Sequence, residues 1–160
     1  MISAENVASY FISKDKSKKM FNYKLLNNND RIFYEGNARL NKYLFLTQVV
    51  YLAKYGKKLI NDDFIAYDNG PIVREVVSKY SIIKLKNKDA NISSNIKIFL
   101  DKIYDALKNA TCEELIEISH EDPEWIRLSN KTHNAPIMQL EKHIDEYKER
   151  YKGLIQALNL

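Results

Sequence analysis

The densest cluster of side chains that could bind a metal ion or transfer a proton lies at 120–124, where His120, Glu121, Asp122 and Glu124 occur together. A catalytic zinc ion takes three protein ligands, and the helical HExxH spacing that often supplies two of them is absent here. A structural role accounts for the same residues, because Asp122 can cap a helix that Pro123 begins and Glu124 then lies at its positive end. We therefore expect neither a metal nor a cofactor at this cluster.

Two further places could carry chemistry. Cys112 is the one cysteine of the chain, and Glu113 and Glu114 beside it raise the pKa of its thiol, although a helix N-terminus would act in the opposite direction. Gly70-Pro71 lacks the further glycines and the lysine of a phosphate-binding loop, and we interpret it as a sharp turn. None of these residues predicts an enzyme.

The elements that must position these residues are mostly helices. Alternating apolar residues from Met20 to Tyr34 predict two short strands joined by a turn. We expect a mainly α, compact multi-helix fold with this β-hairpin as a small insertion near residues 20–35, and a single domain over 1–160. The chain is expected to be extended from Phe64 to Asp68 and helical from Ser3 to about Ser13, Asn37 to about Tyr55, Pro71 to Tyr80, Ser93 to Lys108, Thr111 to Ile118, from Pro123 onward, and in a long C-terminal helix over 136–160.

The helix predicted from Asn37 should be central, because apolar residues occupy almost every face of LNKYLFLTQVVYLAKYG and Gly56 supplies its C-terminal stop. Lys42 and Gln48 lie on different faces of this helix, and buried polar groups need partners. Hydrogen bonding within the fold is the favoured role for both, and direct contact with a partner protein is the alternative. For Trp125, core packing is favoured over an interface role.

A stripe of apolar residues follows the predicted C-terminal helix at alternating spacings of three and four residues. This stripe could pack on its own domain, or it could project and pair with a partner protein or a second copy of the chain. We expect self-packing for 137–144 and partner contact for the tip, 151–158. Its members are Ile137, Leu140, Ile144, Tyr147, Tyr151, Leu154 and Leu158.

Charge and hydropathy restrict the partners and the compartment. The chain has 25 basic and 21 acidic residues, and this net charge of +4 falls short of the strong basic excess typical of nucleic-acid-binding proteins. The lysines at 14–19 and Lys84, Lys86 and Lys88 are expected in solvated loops. No segment approaches the ~18 apolar residues of a membrane span, and MISAENVASYF lacks the pattern of a signal peptide. We expect a cytoplasmic protein without membrane contact.

Four segments of the chain, in this order, resemble one protein family. They are NVASYF at 6–11, LNKYLFLTQ at 40–48 with YLA and Gly56 after it, IAYDNGPIV at 65–73 with Tyr80 after it, and SHEDPEW at 119–125. Together they resemble the Panacea antitoxin domain family, which includes GepA-like phage-associated proteins and the proteolytic adaptor antitoxin SocA. The chain departs from the family pattern in a longer 14–37 segment and in having Phe45 for tyrosine, Tyr67 for tryptophan and Ser119 for threonine.

The resemblance implies an antitoxin of a toxin-antitoxin system that neutralises its cognate toxin by direct protein-protein binding. A proteolytic adaptor that delivers the toxin to a protease and a nucleic-acid-binding phage regulator are the alternatives, and homodimer formation stays open. The residues expected to form the signature or to contact the partner are Lys42, Gln48, Tyr67, Gly70, Pro71, His120, Glu121, Trp125, Tyr151, Leu154 and Leu158.

Overall fold

A computed structural model describes residues 1–28, 30–86, 91–129 and 135–160. The described part is mainly α with two small antiparallel strand pairs, which confirms the predicted fold class. None of its helices is both long and apolar enough to cross a bilayer. The helices are α1 Ala4–Lys14, α2 Glu35–Tyr55, α3 Arg74–Lys86, α4 Ser94–Leu107, α5 Cys112–His120, α6 Pro123–Ser129 and α7 Ile144–Ala157, and the strands are β1 Leu25–Asn28, β2 Arg31–Tyr34, β3 Ile65–Tyr67 and β4 Gly70–Ile72.

Local capping signals set several helix ends where the sequence places them. The Ser3 side chain accepts a hydrogen bond from the backbone N–H of Asn6 and caps α1. Gly56 adopts the left-handed conformation, with φ of 68°, and ends α2. Thr111 and Glu114 form the predicted capping box at the start of α5.

Helix α2 lies at the centre of the fold, as predicted, although it begins at Glu35 rather than Asn37. Tyr43 lies near the middle of α2. Its ring packs edge-to-face against Phe11, Phe21 and Tyr104, with ring centroids 5.6, 5.4 and 6.2 Å away. Each such pair contributes roughly 1 kcal/mol beyond the area that it buries. The aromatic cluster thereby fixes α1 and α4 on one side of α2.

Gln48 connects α2 to the segment that follows it. Its side-chain oxygen accepts hydrogen bonds from the N–H groups of Leu59 and Ile60, at 3.1 and 2.9 Å, and its amide donates to the Ile60 carbonyl at 3.0 Å. The residue is buried, and these bonds satisfy the polar atoms of its side chain. Structural hydrogen bonding, the favoured interpretation of Gln48, is confirmed.

The predicted helix from Pro71 to Tyr80 is wrong in its first turn. Residues 70–72 form β4, which pairs with β3 so that Ile65 lies opposite Ile72, and α3 begins only at Arg74. The backbone is extended here because α2 supplies a hydrogen-bond partner for it. Val73 donates its N–H to the Asn41 side chain at 2.9 Å. Helix α3 also runs to Lys86, so Lys84 and Lys86 are helical rather than in a loop, and Lys88 lies outside the described residues.

The predicted helix over 136–160 is too long at its N-terminal end. Pro136 accepts a hydrogen bond from the N–H of Ala66, and Met138 donates its N–H to the Phe64 carbonyl, so this segment runs extended beside β3. A short 3-10 helix, Leu140–His143, follows, and α7 begins at Ile144. Hydrogen bonding to a segment some seventy residues earlier in the chain overrides the proline signal at 136.

The apolar stripe of α7 packs mainly on its own domain. Tyr147 and Tyr151 are buried, and Leu154 is partly buried against the core. The expected partner contact is therefore wrong for Tyr151, because α7 packs against α2 and the Tyr151 side chain is buried in the fold. Leu158 is half-buried near the tip, whereas Ile137, expected to pack inward, is 57% exposed.

Asp122 and Glu124 join α6 to α7, and their structural interpretation is confirmed. The Asp122 carboxylate caps α6 and accepts a hydrogen bond from the Tyr147 hydroxyl at 2.7 Å. Glu124 is fully buried and accepts hydrogen bonds from the Arg127 Nε and Nη2 and from the Gln139 N–H. Burial alone would raise the pKa of Glu124, but these bonds outweigh it and lower the pKa to about 2.

We predict that Glu124→Gln lowers stability by about 2 kcal/mol at neutral pH, because an amide cannot replace a carboxylate that accepts charged hydrogen bonds from Arg127. A carboxyl whose pKa is depressed by folding contributes stability above its unfolded pKa, about 4.3, and loses that contribution as pH falls through its folded pKa. The difference in Tm between wild type and variant should therefore shrink as pH falls from about 7 to about 3.5. Thermal melts followed by circular dichroism measure it, with exposed Glu149→Gln on α7 as the control. A difference that stays constant with pH would contradict this role.

Candidate functional site

A cavity of ≈ 250 Å³ opens between the β1–β2 hairpin, α2, the β3–β4 pair and α3. Each of these elements contributes to its wall. Apolar side chains predominate, and the polar exceptions come from the hairpin, from α2 and from the β3–β4 turn. The side chains that matter most below are Arg31, Ile32, Phe33, Lys42, Tyr67 and Val77.

The hairpin is attached to the β3–β4 turn by polar contacts at its tip. Asn28 donates a hydrogen bond to the Asn69 side chain at 2.9 Å, and Arg31 forms an ion pair with Asp68 at 2.9 Å. The Arg31 guanidinium also lies over the Tyr67 ring, 5.2 Å from its centroid. These contacts hold one wall of the cavity against another.

Gly70 occupies a position in the turn that a side chain could not share. Its φ of +106° lies in the region that favours glycine, and an added Cβ would lie 2.3 Å from the Ser119 Oγ and 2.7 Å from the Lys42 Cε. Close packing of α2 and α5 against the turn therefore requires glycine here. The predicted role of Gly70-Pro71 as a sharp corner is confirmed in its geometry, since β3 reverses into β4 at this point.

His120 and Trp125 support the same turn from the side of α5 and α6. Their rings are stacked with centroids 4.1 Å apart. Trp125 donates its indole N–H to the Tyr67 carbonyl at 2.8 Å, and the His120 Nε2 lies 3.1 Å from the Asp68 carbonyl. A carbonyl only accepts, so His120 carries its proton on Nε2. Burial lowers the pKa of His120, so the ring is neutral at physiological pH.

Lys42 lies beneath the turn and is 1% exposed. Its ammonium donates a hydrogen bond to the Pro71 carbonyl at 3.0 Å. Burial lowers the pKa of Lys42 to about 8, although the nearby Cys112 acts in the opposite direction. Burial likewise raises the pKa of the Cys112 thiol, which leaves it protonated at neutral pH and a weak nucleophile.

The structure brings part of the predicted set together around the β3–β4 turn: Lys42, Tyr67, Gly70, Pro71, His120 and Trp125. The other predicted residues lie elsewhere. Glu121 is exposed, with its carboxylate 3.9 Å from Arg150 of α7, while Gln48, Tyr151, Leu154 and Leu158 belong to other parts of the fold. In the described part of the chain, no three His, Cys, Asp or Glu side chains converge as metal ligands would.

The hairpin residues of the site were not among those predicted from the sequence. Arg31 and Ile32 follow the Asn-rich tract, and their alternation with Phe33 and Tyr34 indicated a strand but not the surface that it would face. Val77 lay within the helix predicted from Pro71 to Tyr80, but α3 begins three residues later, at Arg74. The position of Val77 at the cavity rim depends on this later start.

A family model, Antitoxin SocA-like, Panacea domain, matches residues 40–126, which is more than half of the chain. The chain belongs to this SocA-like Panacea family. The matched part of this Panacea protein contains most of α2, the β3–β4 turn and Trp125, while the hairpin, α1 and α7 lie outside it. No curated protein and no solved structure gave a match.

We predict that Gly70→Ala lowers the stability of this Panacea domain by at least about 2 kcal/mol, because the new methyl group meets Ser119 and Lys42 and the backbone conformation disfavours it. Gly153→Ala is the matched control, since no atom lies within 4 Å of its added Cβ and alanine favours the α7 helix by up to about 1 kcal/mol. Thermal melts of both variants measure the effects. A Gly70→Ala protein that melts like wild type yet loses partner binding would show that the corner is a contact rather than a support.

Proposed function

We propose that this protein is a cytoplasmic antitoxin that neutralises a protein toxin by direct binding, and that the toxin contacts the face around the cavity. The single observation that supports this surface is the coincidence of two features. Lys42 and Tyr67, which lie within the segment that the family model matches, line a cavity whose rim also exposes the apolar side chains of Ile32 and Val77.

The rim has the composition of a protein-binding surface. Ile32 is 71% exposed on β2, and Val77 of α3 is 36% exposed. On the same face of the hairpin as Ile32, Leu25 lies directly opposite Tyr34, and both side chains are exposed. Exposed apolar and aromatic side chains that surround a cavity are typical of sites that bind another protein.

The proposed mechanism is steric occlusion or sequestration of the toxin and needs neither catalysis nor a cofactor. The titratable groups near the cavity have structural partners that suit this proposal. His120 supports the backbone of the β3–β4 turn, Cys112 is buried as a thiol, and Arg31 is paired with Asp68. Binding energy would come from the apolar rim and from the cavity itself.

Ile32→Lys tests the proposed surface. The side chain is exposed, so we expect the variant to melt within a few degrees of wild type, while toxin binding weakens at least about tenfold, which corresponds to ~1.4 kcal/mol. The binding partner for the measurement is the product of an adjacent gene that arrests growth when expressed alone. Isothermal titration calorimetry gives the affinity, and growth on co-expression gives neutralisation.

Ile98→Lys provides the matched control, because Ile98 is 55% exposed on α4, which contributes no residue to the cavity. This variant should bind and neutralise like wild type. Equal loss in both variants, or loss in neither, would contradict the proposed surface. Toxin that persists with purified antitoxin but disappears when a processive protease is added would instead support delivery to a protease.

A further inference from the structure

Lys42 uses fewer of its hydrogen-bonding groups than Gln48 and Asn41, two other buried polar side chains of α2. The Gln48 amide makes three hydrogen bonds to backbone groups, and Asn41 bonds Val73 and Asn37. The Lys42 ammonium has three donors, and the Pro71 carbonyl accepts from one of them. Among the described residues, no carboxylate forms an ion pair with Lys42.

Such a lysine is costly to the fold. Removing an ammonium from water is unfavourable unless an opposite charge or several acceptors compensate, and one neutral carbonyl does so only in part. The lowered pKa of Lys42 expresses this cost. A methionine would fill nearly the same space without it. Packing alone therefore does not account for a lysine at this position.

The groups that face Lys42 from the neighbouring elements supply no negative charge. Cys112 and His120 of α5 are a buried thiol and a neutral imidazole. Arg31 of β2 is a second cation on the cavity wall, matched by its own ion pair with Asp68, and Tyr67 of β3 contributes a phenol. Within the described parts of the chain, no group near Lys42 supplies the anion that would compensate its charge.

We infer that the cavity receives an aspartate or glutamate side chain of the bound protein, and that Lys42 at the cavity floor forms an ion pair with its carboxylate. This inference rests on the proposed function, since the bound protein is the toxin. The volume of ≈ 250 Å³ is several times the ~30 Å³ of one water molecule, so a carboxylate with its methylene groups fits. Phe33, Ile72 and Val77 provide apolar walls for those methylene groups.

The charge of the whole chain agrees with an acidic partner. The net charge of +4 attracts an acidic surface at long range, while the buried ammonium provides the specific contact.

Lys42→Met tests the inference, because methionine keeps the length of the stem and removes the ammonium. We expect the variant to melt at or above the wild-type temperature and to bind the toxin at least tenfold more weakly. Lys54→Met is the matched control: it removes the same charge from the same helix at an exposed position, and it should bind like wild type. A Lys42→Met protein that binds the toxin like wild type would overturn the inference. A variant that melts well below wild type would overturn it as well, because the hydrogen bond to Pro71 would then explain why this position holds a lysine.

The pH dependence of binding supplies a second test. In the free protein Lys42 loses its proton above a pKa of about 8, whereas a carboxylate partner keeps it protonated in the complex. Wild-type affinity should therefore fall by up to about tenfold for each pH unit above that value, and the affinity of Lys42→Met should not. Equal pH profiles for the two proteins would overturn the ion pair alone. A wild-type protein that does not bind the toxin at any pH would overturn the proposed function as well.

Discussion

Helix α2 is buried on nearly all sides, and its polar side chains determine how the rest of the chain is arranged around it. Gln48 holds the segment at 59–60, and Asn41 holds the residue after β4 by its backbone N–H. A buried polar side chain stabilises a fold only when its hydrogen bonds are made, so each of these residues admits a narrow range of positions for the segment it binds. The β3–β4 turn, and with it the cavity, depends on these bonds.

The turn is supported from several directions, and this support suits the binding surface that we propose around it. Gly70 lets α2 and α5 approach closely, Trp125 and His120 bond its carbonyls, and Arg31 draws the hairpin onto its outer side. A site held this way reaches its partner with little rearrangement, and affinity gains when a surface is ordered before binding. Because the turn is held rigidly, the Lys42 ammonium cannot easily reach further hydrogen-bond acceptors inside the fold.

Local signals in the sequence were sufficient to predict helix ends that are set by residues close together in the chain. The caps at Ser3 and Thr111, the stop at Gly56 and the structural role of Asp122 all follow from contacts a few residues apart. The helix start predicted at Pro71 was wrong because a proline is compatible with both the first turn of a helix and an edge strand. Asn41, more than thirty residues earlier, decides in favour of the strand by binding the N–H of Val73.

The site was predictable in part for the same reason. Family resemblance indicated the turn residues, but the cavity also needs the pairing of Arg31 with Asp68 and of Asn28 with Asn69, which are about forty residues apart and follow no periodic pattern. Tyr151 was misjudged because an apolar stripe looks the same whether it is covered or free. Its burial depends on how α7 lies on α2, which only the assembled fold determines.

Hydrogen-deuterium exchange of the protein, with and without the toxin of the proposed function, tests most directly whether the cavity face is the contact surface. We predict that complex formation slows the exchange of backbone amides in β2, in the β3–β4 turn and in the first turns of α3, and leaves exchange in α4 unchanged. Protection confined to α7 or α4, with no change at β2 and the turn, would contradict it.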